Sequence, residues 1–485
     1  MTDAQQQRVA EFIAELEKIP EGAHFVDFLM SRLPEDERRF VDFCAIPHQF
    51  SLEGAKFVLA DWDRERVERV FKRVLELAIV TPSATDCALH DEARNHLFRK
   101  WLEPDRQAEF AAVNRRIVDF LALQRRGLGP TDFARGDALL TNEIFHSFAY
   151  DRAGAMDKFY HTFGERRAQG RYALCETLVT VLLEYDPILT PRERLVLTYS
   201  RGKVEFDLDD DESAAALFQE VAASDQASVR LKTAALSRLG QVRLRRHELD
   251  AARAAFEAAI NQPANDPNAQ KHRQRALIGL GNTFGLLGNF DQAKQVIHRA
   301  IELAETRRNL QELAAAYTSL GRLYQSWGYW TQAEKYLTWT LELLKTETDT
   351  VARAQALANL GSLFVHFAHW AKAEPVLNQA YELFDRLGHI RGKSIVQQNL
   401  FRVMMATDKP EALDHGIHSF QNFVLMRDFF HAGVAGRGLA RYFSRRNNPK
   451  ERRKYVELAI EAFTRAKARQ EAEALKSELG TIKFG

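Results

Sequence analysis

The chain has 485 residues, 46% of them hydrophobic, so it is not a disordered protein and is too long for one compact core. Lys and Arg (67) nearly balance Asp and Glu (66), so no global field attracts nucleic acid or a membrane surface. The three cysteines, Cys44, Cys87 and Cys175, form no CxxC pair. Their spacing argues against a zinc site or a disulfide framework and favours a reducing compartment.

Residues 1–34 predict N-terminal helices. The first twenty residues are amphipathic and charged, and they lack the apolar core of a secretory signal. No apolar run approaches the ~18 residues that a membrane-spanning helix needs. We therefore expect a cytoplasmic protein that makes no membrane contact.

Residues 35–103 predict three helices followed by a small hairpin, which is a winged-helix pattern. The helices are expected at 35–44, 52–59 and 64–77, and the two extended pieces at 78–81 and 87–90. Pro34 suits the start of the first helix, and Val67, Val70 and Val74 form an apolar stripe on the third. Residues 104–190 then predict a helical linker with degenerate repeats.

A leucine recurs at intervals of about 40 residues in the second half of the chain, which is typical of a stacked helical array. The five positions are Leu239, Leu280, Leu320, Leu360 and Leu400. A glycine follows each of the first four, and an alanine stands further along each repeat: Ala252, Ala293, Ala333 and Ala373. We expect these small residues where two helices touch most closely.

One repeat shows why this period indicates paired helices. Leu277, Leu280 and Phe284 share one face of a helix, a turn around Gly288 follows, and Ala293 begins the stripe of a second helix. Neither helix can bury its stripe alone, so each pair stacks on the next. These positions resemble the tetratricopeptide repeat, in a form of about 40 residues.

This resemblance implies an all-α solenoid over residues 191–475, followed by a C-terminal tail at 476–485. Seven units are expected: 192–229, 230–270, 271–311, 312–350, 351–390, 391–431 and 432–475. The first, sixth and seventh units are degenerate; in the sixth, for example, Phe401 replaces the glycine.

The resemblance also implies a partner-binding groove, because the first helix of each such repeat lines a concave surface. The matching positions here are Arg275, Asn282, Arg322, Gln325, Gln355, Gln398 and Arg402, with Arg245 nearby. Four arginines in one groove favour a ligand with carboxylates, since a guanidinium can hold a carboxylate by two parallel hydrogen bonds. The alternative is that these residues are ordinary solvated positions on the helices.

The N-terminal part resembles the winged-helix domain of the STAND signal-transduction ATPases. The stretches that carry this resemblance are 39–45, 50–53, 89–91, 143–146 and 168–172. It implies a regulatory and sensing module in which the residue matching His90 contacts a nucleotide phosphate. That family has a P-loop ATPase domain ahead of the winged helix, whereas only 34 residues precede the winged helix here. Because a nucleotide contact needs such a P-loop, we instead expect His90 to cap the next helix together with Asp91.

Other motifs are weaker. Gly388 and Gly392 precede Lys393 and Ser394 with one residue too few for a P-loop, which predicts a turn. The histidine pairs at 366 and 369 and at 415 and 418 have no third metal ligand, and Cys175 has no evident base. The acidic run 207–212 falls at the turn of the first repeat and predicts a solvated loop. We therefore expect no catalytic residue, metal or cofactor.

A DNA-binding alternative depends on the third helix, where Arg66, Arg69 and Arg73 share one face. Interspersed glutamates reduce the local charge, so nucleic acid is not the expected partner.

The hypothesis is a noncatalytic scaffold, sensor or regulatory adaptor that binds a protein or peptide in a signalling or defence pathway. The arginines of the groove favour an acidic partner. Two alternatives stay open: a winged-helix transcription regulator with a repeat sensor, and the regulatory or target chain of an associated protease. The sequence does not indicate an oligomeric state.

Overall fold

The structure is a computed structural model that describes residues 24–82, 86–129, 132–263, 269–346, 350–466 and 468–479. The helix predicted within residues 1–23 and the end of the predicted tail at 480–485 lie outside these ranges. The chain forms two compact units. The first comprises the residues up to Phe163 together with Thr180–Leu189, and the second comprises Gly164–Val179 and the residues from Thr190 onward.

The first unit consists of helices and one hairpin. Its elements are α1 (Phe25–Arg32), α2 (Glu35–Cys44), α3 (Leu52–Val58), α4 (Arg64–Val74), β1 (Val80–Pro82), β2 (Cys87–Leu89), α5 (Asp91–Trp101), α6 (Gln107–Arg126) and α7 (Phe133–Ser147). The helices α8 (Arg152–Ala168) and α9 (Tyr172–Leu183) contribute residues to both units. The strands β1 and β2 are antiparallel, with Val80 opposite Leu89.

Local chemistry explains where these helices begin and end. The side chains of Ser51 and Asp63 accept hydrogen bonds from the backbone N–H groups of Gly54 and Arg66, which caps α3 and α4. The helix α4 ends at Val74, three residues before the predicted end at residue 77, because the next N–H groups turn back to closer carbonyls, as Leu77 does to Val74.

The core of the first unit is aromatic. Phe40 is fully buried, and its ring makes edge contacts with Phe50 and Phe71 at centroid distances of 6.4 and 6.1 Å. Trp101 is also fully buried, and its indole N–H donates to the carbonyl of Asp42 at 2.8 Å. These contacts join α2 to α4 and to α5.

The second unit is a row of seven helical hairpins followed by one more helix. The hairpins pair α10 (Pro191–Asp207) with α11 (Asp211–Ala223), α12 (Val229–Arg245) with α13 (Leu249–Ile260), α14 (Gln270–Leu286) with α15 (Phe290–Thr306), α16 (Leu310–Ser326) with α17 (Trp330–Leu343), α18 (Val351–His366) with α19 (Trp370–Arg386), α20 (Ile390–Ala406) with α21 (Ala412–Leu425), and α22 (Phe429–Arg445) with α23 (Pro449–Arg465). The last helix is α24 (Arg469–Leu479). This architecture confirms the predicted all-α solenoid.

The small residues of the sequence repeat lie where the helices of a hairpin meet. A Cβ added to Gly281 would stand 2.5 Å from Cγ1 of Ile297, and one added to Gly361 would stand 2.5 Å from Cδ2 of Leu377. Ala293 is fully buried on the facing helix. Since any larger side chain would separate the pair, the Leu-Gly and Ala positions set the helix spacing.

Each hairpin also turns through a residue in the left-handed region. Gly288 and Gly328 have φ angles of 82° and 80°, which glycine adopts without steric strain because it has no Cβ. Non-glycine residues hold the corresponding turn in the other hairpins: Asp209, His247, Ala368, Asp408 and Asn447.

Within the described ranges, no helix is both long enough and apolar enough to cross a lipid bilayer.

Candidate functional site

The first helices of four successive hairpins line a cavity of about 640 Å³ in the second unit, which we call the groove. These helices are α14, α16, α18 and α20. Arg275, Ala315, Gln355 and Ile395 occupy the same place on the four helices and all line the groove. The sequence period therefore places one side chain from each repeat along a continuous surface.

Three of the predicted partner-binding residues, Arg275, Arg322 and Gln355, line this cavity. The other predicted positions lie elsewhere on the repeat helices: Asn282 on α14, Gln325 on α16, Gln398 and Arg402 on α20, and Arg245 on α12. Asn282 is engaged with the next repeat, because its Oδ1 accepts a hydrogen bond from Ser319 at 3.0 Å. Their roles in partner binding stay predictions.

Arg245 is held by acidic residues of the first hairpin. Its Nη1 lies 2.6 Å from Oδ1 of Asp209, its Nε lies 2.8 Å from Oδ1 of Asp211, and its guanidinium stacks over the ring of Phe206. These contacts fix the α10–α11 turn.

The helix α14, which lines the groove, and the preceding helix α12 carry basic residues whose charges act on one another. Arg275 lines the groove with an exposed side chain, and partial desolvation by the surrounding residues, followed by the charge of Arg238, lowers its pKa. Burial, followed by the charges of Arg275 and Arg230, lowers the pKa of His272 to about 3. The pKa of Lys271 falls for similar reasons, burial first and Arg275 second.

The basic surface continues onto α10. Burial, with the charges of Arg167 and Arg238, lowers the pKa of Lys203 to about 7. Desolvation is the largest cause of each of these lowered pKa values, and repulsion between neighbouring cations adds to it.

Carboxylates do not neutralise this surface. Among the described residues, no carboxylate oxygen forms an ion pair within 4.0 Å of a guanidinium nitrogen of Arg230, Arg238, Arg275 or Arg322. One carboxylate, that of Glu312, lines the groove; its Oε2 pairs with Arg307, and its Oε1 is buried without a hydrogen-bond partner. The groove therefore presents more positive than negative charge to a ligand.

The acidic run at 207–212 is not the solvated loop that the sequence predicts. Asp207 is buried and bonded to Arg167, and Asp210 caps α11 by accepting from Ser213 N at 3.2 Å. Asp209 and Asp211 hold Arg245. Long-range arginines bind this run, and local sequence patterns give no signal for such partners.

The first unit contains a separate cavity of about 570 Å³ between α2, α3, α6 and α7, lined by apolar and polar residues. His146 lines it, is almost fully buried, and contacts Asn114 Oδ1 through Nδ1 at 2.7 Å. Because the Asn114 amide nitrogen donates to the Phe110 carbonyl, we assign the proton to Nδ1 of the histidine. Burial lowers the pKa of His146 well below its usual value, so the ring is neutral.

The arginine face of α4 is largely neutralised by α2. Nη2 of Arg66 lies 2.6 Å from Asp36, and Nη1 of Arg73 lies 3.3 Å from Glu37. Two of the three arginines that suggested DNA contact are thus engaged within the first unit.

The structure also shows the positions of the remaining sequence motifs. His90 occupies the N-cap position of α5, but its side chain makes no capping hydrogen bond, so that expectation is wrong; the cap uses the His90 carbonyl, which accepts from Arg94 N. Gly388 has a φ of 62° and forms the turn between α19 and α20. Burial raises the pKa of Cys175 to about 12, which disfavours the reactive thiolate. No group of three metal-ligating side chains occurs within the part of the chain that the structure describes.

Comparisons with known proteins agree with the repeat architecture. A tetratricopeptide repeat family model matches residues 272–346, which cover α14 to α17. The second unit is thus a tetratricopeptide-repeat-like α-solenoid. No curated protein matches the chain in sequence.

Solved structures show likeness at low identity. A Rap protein complexed with competence and sporulation factor is 12% identical, with 80% of this chain and 98% of that chain covered and a TM-score of 0.49. Aspartyl phosphate phosphatase F from Bacillus subtilis is 13% identical, with 76% and 92% covered and a TM-score of 0.45. A STAND protein with a tetratricopeptide repeat sensor from Pyrococcus horikoshii is 13% identical, with 94% and 68% covered and a TM-score of 0.40.

Proposed function

We propose that this chain is a noncatalytic interaction protein that binds an acidic peptide segment of a protein partner in the groove. The observation that carries the proposal is the unneutralised basic surface formed by Arg230, Arg238, Arg275 and Arg322. Carboxylates that enter the groove would relieve the mutual repulsion of these cations and form charge-assisted hydrogen bonds with them.

The neutral lining supports a peptide as the ligand. Gln355 and Asn359 on α18 offer both donors and acceptors to a peptide backbone, while Ala315 and Ile395 leave room for side chains. The groove thus combines cationic anchors at α14 and α16 with amide groups further along. This arrangement suits a short extended segment that carries acidic side chains at one end.

The same proposal assigns the first unit a regulatory role. We interpret α2, α3, α4 and the hairpin as a winged-helix-like module, and the ion pairs of Arg66 and Arg73 favour a protein contact over DNA there. We place the chain in a cytoplasmic signalling or defence pathway as a STAND-like regulator. That assignment is an analogy of fold and of element order.

The test measures anisotropy of a fluorescent octaglutamate peptide with the full chain and with the double variant Arg275→Glu, Arg322→Glu. We expect the wild type to bind with an affinity that falls as salt rises, and the variant to bind at least about tenfold more weakly, since two charge-assisted contacts become repulsive.

Arg446→Glu is the matched control, because Arg446 is exposed, pairs with Asp408 and does not line the groove. Equal binding by the wild type and the double variant would refute the proposal. Capture of partners from extracts of the native host, with the same three chains, identifies the physiological ligand. Salt-sensitive binding of duplex DNA that survives the groove substitutions would favour the transcription-regulator alternative instead.

A further inference from the structure

The cavity of the first unit has the size of a small-molecule site. Its volume of about 570 Å³ lies within the range of roughly 300–1,000 Å³ that such sites occupy. All of its lining residues belong to the first unit, and none of them lines the groove. We call it the inner cavity.

The inner cavity runs along one face of α7. The residues of α7 that line it lie three, four, seven and eleven residues after the first, which places them on one side of the helix. They are Arg135, Ala138, Leu139, Asn142 and His146. Eleven residues span about 16 Å of helix axis, so the inner cavity is elongated.

Burial increases along this face from one end to the other. Arg135 and Ala138 are exposed, whereas Asn142 is half-buried. His146 is only 2% exposed, and its hydrogen bond to Asn114 joins α7 to α6 at this point. The inner cavity therefore has an accessible end at Arg135 and a closed end at His146.

The wall between the two ends is mainly apolar. Its aromatic side chains are Phe40, Phe43, Phe50 and Phe120. Aliphatic side chains of α6 and α7 lie among them. An aromatic ligand can make edge or offset contacts with such rings in addition to burying its own apolar surface.

The charged side chains of the lining are of both signs: Glu53, Asp86 and Arg135. Glu53 is exposed and has its own cation, because Nζ of Lys56 lies 3.0 Å from its Oε1. Charges of opposite sign on one lining give little selection for an ion, whereas the apolar wall favours an uncharged molecule.

The closed end offers a hydrogen-bond acceptor. Nδ1 of His146 contacts Oδ1 of Asn114 at 2.7 Å and carries the ring proton, so Nε2 is the accepting nitrogen of this neutral imidazole. None of the described residues forms a hydrogen bond with Nε2. A ligand that fills the closed end therefore needs a donor at its leading end.

We propose that the inner cavity binds an uncharged aromatic alcohol, a phenol on an elongated apolar body, whose hydroxyl group donates to Nε2 of His146. A phenol stays protonated at neutral pH, so it keeps the donor that the imidazole needs. The apolar body lies between α2, α3, α6 and α7 and extends toward Arg135. This inference does not rest on peptide binding in the groove.

Equilibrium dialysis of the full chain with three probes tests the hydroxyl contact. The probes are para-hydroxybiphenyl, para-methoxybiphenyl and biphenyl, which share the two-ring body, and only the first can donate. We expect para-hydroxybiphenyl to bind about two- to tenfold more tightly than each of the others, the net gain from one neutral hydrogen bond. Equal affinities for the three probes, or no binding of any of them, would overturn the proposal.

The variant His146→Leu removes the acceptor. We expect it to lose the preference for the hydroxylated probe, because a buried hydroxyl group without a partner is unfavourable. The preference is a ratio measured within one protein, so a uniform loss of stability does not imitate the effect. A preference that persists in this variant would show that another group receives the hydroxyl.

A second pair of variants locates the probes and avoids the buried histidine. Ala138→Trp places an indole on the exposed part of the lining, so it should weaken the binding of all three probes. Ala134→Trp is the matched control, because Ala134 is exposed on the same helix and does not line the inner cavity. Equal binding by the two variants would place the probes elsewhere and overturn the assignment.

Peptide binding is measured on the same proteins. Ala138→Trp should bind octaglutamate like the wild type, since no residue of the groove is changed. Loss of octaglutamate binding with intact probe binding would contradict only the proposed function, and the reverse result would contradict only the inner cavity as a ligand site.

Discussion

The packing of Phe256 gives a quantitative prediction for the repeat core. This ring is fully buried on α13 and lies between two helices that have glycine at the point of contact. A Cβ on Gly279 would stand 2.4 Å from both Cε1 and Cζ, and a Cβ on Gly240 would stand 2.6 Å from Cδ1 and Cε1. The ring cannot retreat from one helix without approaching the other.

We expect Gly279→Ala to destabilise the second unit despite the better helix propensity of alanine. Relieving the contact requires the ring to shift by about 1 Å, and such overpacking costs about 1–3 kcal/mol. Alanine in a helix interior returns about 1 kcal/mol relative to glycine. The net loss is centred on about 1 kcal/mol, within a range of about 0–2 kcal/mol, and a loss of about 1 kcal/mol lowers the melting temperature by roughly 2–4 °C for an array of this size.

Thermal unfolding followed by circular dichroism measures this effect. The control is Gly164→Ala, an exposed helical glycine of the same unit with no neighbour within 4 Å of an added Cβ, which should gain about 0.5–1 kcal/mol. Phe256→Leu combined with Gly279→Ala should lose less than the sum of the two single changes, because the smaller side chain relieves the clash. Equal shifts in melting temperature for the two glycine variants, or full additivity in the double variant, would refute the tight packing of Phe256 between Gly240 and Gly279.

Two basic groups with lowered pKa values predict stability that rises with pH, Lys203 above pH 7 and His146 below pH 7. The pKa of Lys203 is about 7 in the folded protein against 10.5 for a free lysine, so the second unit should gain stability from pH 7 to 9. The gain should be less than about 1.4 kcal/mol per pH unit, because the side chain is only half-buried. In urea titrations Lys203→Met should abolish this slope, and parallel profiles for the wild type and the variant would contradict the prediction. His146 has a lowered pKa, so the first unit should lose stability as the pH falls from 7 to 5. His146→Gln can still donate to Asn114 without titrating, and hydrogen exchange of α7 should then depend less on pH; an unchanged dependence would show that another group titrates.

The repeats were predictable because their packing is local. Leu320, Gly321 and Ala333 lie on the two helices of one hairpin, and a Cβ on Gly321 would stand 2.9 Å from Cγ of Leu337 on the facing helix. Residues so near in sequence meet in every repeat, so the contact leaves a periodic pattern. The groove positions Arg275, Arg322 and Gln355 follow from the same register, and their role in binding stays a prediction.

The contacts of the first hairpin were not predictable in this way. Asp207 meets Arg167 ahead of the array, and Asp209 and Asp211 meet Arg245 of the next hairpin. Each contact occurs once, so no period reports it. Arg245 matched a groove position by its place in the repeat, and only the folded chain shows that Asp209 and Asp211 hold its guanidinium.

The packing of Gly170 beside Met426 has a consequence for how this array can change in evolution. An open solenoid gains or loses repeats at little cost, because each repeat touches only its neighbours. Here a Cβ on Gly170, ahead of the first hairpin, would stand 3.2 Å from Sδ of Met426, between the sixth and seventh hairpins. Deleting one hairpin between Gly288 and Gly328 would keep the contacts within each remaining hairpin and still separate Gly170 from Met426. The number of repeats in this array is therefore tied to this contact as well as to the needs of binding.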